Sequence, residues 1–115
     1  MSLYLLRYFF DYGSGVCLWS ANDAARNKFT YAVDHNSLSL SVNLVKEVNH
    51  LITWHDTSID WDSPAGPSPW SEDERGLFNS TAQRLHISLK NALGPDFDIR
   101  DESKTNTASQ SLKGK

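Results

Sequence analysis

Residues Leu3 to Phe10 carry apolar or aromatic side chains on both alternating sets of a strand, with Leu3, Leu5 and Phe9 on one side and Tyr4, Leu6, Tyr8 and Phe10 on the other. A strand with two apolar faces has to be covered on both, so this segment is the expected centre of a sheet. The run is too short for a secretory leader, Arg7 falls inside it, and no small-residue cleavage pattern follows. It reads as a strand of the mature chain. Asp11-Tyr12-Gly13-Ser14-Gly15 is a turn cluster and Val16 to Trp19 resumes the apolar run, which together predict a β-hairpin.

The remaining 95 or so residues alternate helix signals with breakers. Ser20 with Asp23 resembles a capping pattern and predicts a short helix through Ala24, Ala25 and Phe29. Ser41 caps a second helix, whose apolar positions Leu44, Val45, Val48, Leu51, Ile52 and His55 recur at spacings of three and four. Residues 56–70 hold Pro64, Pro67, Pro69 and Gly66, which exclude helix or central strand. Ser71 and Glu74 form a capping box for a third helix with Leu77, Phe78, Ala82, Leu85, Leu89, Ala92 and Leu93 inward, ended by Gly94-Pro95. Phe97 and Ile99 alternate with Asp96, Asp98 and Arg100 as a half-exposed edge strand.

This order predicts an α+β fold: a small antiparallel three-stranded sheet, made of the N-terminal hairpin and the C-terminal strand, packed against two long amphipathic helices. Residues 1–102 form one domain. Residues 103–115, rich in Ser, Thr, Lys and Asn, are expected to be a disordered polar tail. The chain of 115 residues is too short for two domains.

Charge narrows the function. The formal net charge is −3, from 11 cations and 14 acids. Lys104, Lys113 and Lys115 lie in the tail, which leaves eight cations against fourteen acids, a net of −6, for the rest. Between Lys46 and Arg75 there is no Lys or Arg, yet the stretch holds Glu47, Asp56, Asp60, Asp62, Glu72, Asp73 and Glu74. A nucleic-acid ligand needs clustered cations and is not expected. A basic protein partner fits instead. No window approaches the length of a membrane-spanning helix. The lone Cys17 sits in the apolar run Val16 to Trp19, so no internal disulfide and no reactive thiol are expected. The thiol count points to the cytoplasm.

Trp54, Trp61 and Trp70 are interleaved with Asp56, Asp60 and Asp62, and Glu72 and Asp73 follow. Indoles supply contact area, acids select a cationic partner, and prolines pre-order the loop. Trp54, Asp56, Asp60, Trp61, Asp62, Trp70, Glu72 and Asp73 are therefore the candidate partner-binding residues. The competing structural account has the rings covering helix ends and anchoring the loop. Tyr4, Tyr8, Tyr12 and Tyr31 are further candidates for a surface. Packing against the helices, with the hydroxyls at the rim, is the structural account of Tyr4 and Tyr8.

Gly13-Ser14-Gly15 lacks the rest of any phosphate-loop or dinucleotide pattern and reads as a turn. His55 with Asp56, Asp60 and Asp62 offers acid/base or metal chemistry, but the spacing matches no zinc or calcium motif. A core-edge imidazole bonded to Asp56 or a carbonyl is the structural account. No cofactor, metal or catalytic set is assigned. The segments YFFDYGSGVCLWSANDAA and WHDTSIDWDSPAGPSPWS are distinctive but match no named family by their motifs. In general character, compact, cytosolic, acidic and without a catalytic signature, the chain is similar to small bacterial immunity and inhibitor proteins. That resemblance implies a non-catalytic binding domain that masks a basic partner, without assigning residue roles. The alternatives are a small hydrolytic or metal-dependent enzyme using His55, Asp56, Asp60 and Asp62, and a homodimer or other homo-oligomeric module joined through its edge strand.

Overall fold

A computed structural model describes residues 2–103; the remainder of the tail lies outside the described residues. The elements are β1 (Tyr4–Tyr8), β2 (Leu18–Ser20), α1 (Asp23–Phe29), a short 3-10 turn at His35–Ser37, α2 (Val42–Asp56), α3 (Glu72–Leu93) and β3 (Phe97–Asp101). The sheet order is β2-β1-β3, so the doubly apolar segment is the central strand. β1 and β2 form the hairpin, antiparallel, with Leu6 opposite Ser20 and Tyr8 opposite Leu18.

β3 runs parallel to β1, not antiparallel, with Tyr4 opposite Phe97 and Tyr8 opposite Asp101. The sheet is therefore mixed. The physical reason lies in α3, which returns the chain to the start of β1. Gly94, at φ 82°, closes the helix with its N–H on Lys90 O, a left-handed conformation that glycine adopts without strain. The next residues bring Asp96 O to the N–H groups of Leu3 and Tyr4, at 2.9 and 2.8 Å. A parallel pair needs a long crossover, and three helices supply one.

The helices lie on one face. Leu6, Tyr8, Phe10, Leu18 and Ile99 point into a core with Val48, Leu51 and Ile52 of α2 and Phe78, Ala82, Leu85 and Leu89 of α3. Phe29 of α1 meets Tyr4 and Phe97 on that same face. Among the described residues, the other face of β1 is met by side chains rather than by a helix. There Phe9 stacks on Trp19 at 4.9 Å, Trp19 Nε1 donates to Phe9 O, and the Arg7 guanidinium lies over Phe9. Coverage of the second face thus comes from hairpin side chains together with Tyr31, which meets Trp19 at 5.3 Å, and Glu102, bonded to Arg7, and Leu3 stays exposed.

The caps at Ser41 and Ser71 are present, each hydroxyl accepting from the third residue on. Asn22, not Ser20, caps α1; Ser20 is buried in β2 and donates to Thr30 O. Tyr8 differs from its expected rim position. It is fully buried, and its hydroxyl donates to Ala82 O of α3 at 2.7 Å. Burial pushes that phenol well above its ordinary range. Two further side chains tie the layers: His86 Nε2 to Ile99 O, and His35 Nε2 to Asn49 Oδ1, both at 2.7 Å.

Tyr8→Phe is expected to cost about 1 kcal/mol through the lost buried hydrogen bond, and Leu85→Ala about 2–5 kcal/mol through a core cavity. Urea unfolding reads both. A neutral Tyr8→Phe would mean that its hydroxyl faces water.

Candidate partner-binding surface

The proline-bearing loop is a chain of short turns closed on itself. α2 ends where Thr57 N–H turns back to Trp54 O and Ser58 N–H to His55 O. Asp60 Oδ1 accepts from Asp62 N–H at 3.0 Å, Ser63 N–H donates to Asp60 O, and Gly66 N–H to Ser63 O. Ser68 Oγ then donates to Ser58 O, which fastens the far limb of the loop to its start. Pro64, Pro67 and Pro69 restrict the intervening backbone.

The three indoles divide between the two accounts drawn from sequence. Trp54 and Trp70 are half-buried and pack on Phe78 at ring distances of 5.0 and 5.1 Å. Trp54 Nε1 donates to Glu74 Oε2 and Trp70 Nε1 to Thr57 Oγ1. These two rings anchor the loop and the helix ends. Glu74 spends its carboxylate on Trp54, so the second arm of the expected capping box goes to a tertiary contact. Trp61 is different: it is 57% exposed, while its Nε1 is held by Asp56 O at 2.9 Å.

The hairpin turn joins this region, which sequence spacing did not reveal. Gly13 N–H donates to Asp56 Oδ1 at 3.1 Å, and Trp61 lies within 3.7 Å of where a Cβ on Gly13 would stand. Tyr12, 42% exposed, stacks on His55 at 4.5 Å and accepts a hydrogen bond from Ser58 Oγ. Tyr12 and Trp61 meet at 6.3 Å with planes at 86°. The missed signal was the turn's own composition: Asp11 and Tyr12 are the bulky members of an otherwise small-residue tip.

The carboxylates of Asp60, Asp62, Glu72 and Asp73 belong to exposed residues. Among the described residues, ion pairs join Arg7 to Glu102 and Arg26 to Asp23, and these four acids take part in neither. Asp56 is half-buried and holds the hairpin turn. Glu72 and Asp73 sit in the first turn of α3, where the helix dipole favours them. One cation intrudes on the region: the Arg75 guanidinium lies 5.9 Å from the Trp70 ring.

His55 lies among the rings of Tyr12, Phe10 and Phe78. Its Nδ1 is buried and has no hydrogen-bond partner among the described residues, so the expected bond to Asp56 or a carbonyl is absent at that atom. Aromatic stacking holds the ring in its place. Burial lowers its pKa, opposed by the nearby charges of Asp56 and Asp11. Among the described residues, no group of three His, Cys, Asp or Glu side chains is placed to hold a metal ion. A cleft of about 430 Å³ opens at the other end of β1, lined by Tyr4, Lys28, Phe29, Leu93 and Phe97 among others, and His55 and its aspartates are not part of it. Burial pushes the Cys17 thiol up to about 12, which keeps it protonated.

The fold is that of a small α+β domain, a three-stranded mixed sheet packed with helices. The family model described as Serratia CdiI immunity protein-like matches residues 5–102, from the central strand to the end of β3, and the chain belongs to that family. No curated protein matches the chain. No helix among the described residues is long and apolar enough to cross a membrane.

The lowered pKa of His55 has a signed consequence. The unfolded chain binds a proton there at higher pH than the folded one, so the contribution to stability is complete above the ordinary imidazole value of about 6.5. It is lost as pH falls below that value toward the folded pKa. His55→Phe keeps the stack and removes the titration. Its unfolding free energy is expected to fall less than wild type's between neutral and mildly acidic pH, measured by urea titration at each pH. Parallel profiles would contradict the assignment.

Proposed function

We propose that this protein masks a basic partner, a toxin domain, through the surface formed by Trp54, Asp56, Asp60, Trp61, Asp62, Trp70, Glu72 and Asp73. The observation that carries the reading is Trp61, an exposed indole held in one pose beside carboxylates that form no ion pair among the described residues. Family membership supports the immunity role. Uncompensated acids speed encounter with a basic surface and disfavour acidic competitors. The aromatic anchor slows release, since desolvated Trp contacts dominate interface energetics. Trp54 and Trp70 serve the same end indirectly by holding the loop against α3. Pre-ordering of the loop reduces the entropy lost on docking. Binding requires no reaction by the protein itself, because covering a toxin's working surface is sufficient to silence it.

Trp61→Ala is expected to weaken capture by at least about 2 kcal/mol, roughly thirtyfold in Kd. Asp60→Asn with Asp62→Asn is expected to slow association and flatten its dependence on salt. Both variants are expected to keep the wild-type melting temperature within a few degrees. Surface plasmon resonance against the protein captured by wild type measures the first two. Unchanged capture by the folded variants, or an acidic captured protein, would refute this surface.

A further inference from the structure

We propose that the corner between Tyr12 and Trp61 seats one arginine side chain of the partner, an inference that rests on the binding role above and names its recognition element. The corner is built from two segments distant in sequence, the hairpin turn and the proline loop. Its two walls are the most exposed aromatic rings of that region, yet neither is loose. Trp61 is tied through Nε1 to Asp56 O and lies over Gly13. Tyr12 rests on His55 and accepts from Ser58 Oγ. The two rings meet edge to face, with planes at 86° and centroids 6.3 Å apart, and both remain partly open to solvent.

The chain supplies no cation of its own from the segments that build this corner. No Lys or Arg occurs between Arg7 and Arg26, nor between Lys46 and Arg75. Asp11, Asp56 and Asp60 come from those same segments. Elsewhere the molecule covers aromatic rings with its own guanidinium groups: Arg7 lies 4.9 Å over Phe9 while bonded to Glu102, and Arg75 lies 5.9 Å over Trp70. The Tyr12–Trp61 corner has the same ingredients, π-faces beside carboxylates, and among the described residues neither of these cation–ring contacts falls on it. Arginine suits it better than lysine, because a planar guanidinium stacks on a ring and still donates in its own plane to carboxylates.

The test uses three acetylated tripeptide amides, Gly-Arg-Gly, Gly-Lys-Gly and Gly-citrulline-Gly, titrated into the isotopically labelled protein. The Trp61 indole N–H resonance, assigned with Trp61→Phe, reports on the corner. The arginine peptide is expected to shift it saturably. Citrulline, neutral but of the same shape, should bind at least about tenfold more weakly. Tyr12→Ala should abolish the saturable shift; if that variant unfolds, Tyr12→Met keeps bulk over His55 and removes the ring. Equal response to citrulline, tighter binding of lysine, retention in the Tyr12 variant, or no saturable shift at Trp61 would each overturn the proposal. Should capture of the partner still depend on Trp61 and Asp60 while the arginine peptide ignores the corner, the docking surface stands and this assignment alone falls. Should the peptide bind while capture ignores the loop, the docking surface falls, and the corner's assignment to the partner falls with it.

Discussion

Phe78 holds together the end of the molecule that carries the hairpin turn and the proline loop. Buried in α3, its ring meets Phe10 at the end of the central strand, Trp54 and His55 in the last turn of α2, and Trp70 at the end of the proline loop. Three chain segments converge on this one side chain of a fourth. Each contact alone is modest, but aromatic rings bury large areas, and the assembly positions everything outside it. Tyr12 reaches this pile through His55, and the loop reaches it through Trp70 and the bond from Ser68 to Ser58. The exposed residues are therefore mounted on packed aromatic groups, although they lie on turns.

That mounting explains how a segment with three prolines and uncompensated acids remains compatible with a defined shape. Mutual repulsion among surface carboxylates is weak in water and screened by salt. The buried rings beneath supply the cohesion. The same arrangement separates roles that sequence placed in a single group. Trp54 and Trp70 donate their indole N–H groups to the side chains of Glu74 and Thr57, while Trp61 donates to a backbone carbonyl and keeps more than half of its surface exposed. His55, the residue best suited on paper to acid/base chemistry, is stacked among aromatic rings and carries Tyr12. Membership in the Serratia CdiI immunity protein-like family spans this whole assembly.

Much of the fold was legible in the chain because its signals are local. Ser41 and Ser71 cap the helices that follow, Gly94 ends α3, and the turn at Asp11 to Gly15 folds the hairpin, each through interactions within a few residues. The central position of Leu3 to Phe10 followed from its apolar faces. Where the reading failed, the deciding partner was remote. Ser20 looked like a cap until β-pairing claimed it and left the cap to Asn22. Tyr8 looked suited to the rim until α3 placed Ala82 O within reach of its hydroxyl.

The sequence by itself determined the order of the main strands and helices, the cation-free middle segment and the choice of candidate residues there, since composition and capping are properties of neighbours along the chain. Only the tertiary structure decided that β3 runs parallel to β1, that helices cover one face of the sheet, that the hairpin turn belongs beside the proline loop, and which indole stays in water. Those outcomes depend on contacts between residues tens of positions apart, such as Gly13 with Asp56 and Leu3 with Asp96, whose geometry no local periodicity encodes.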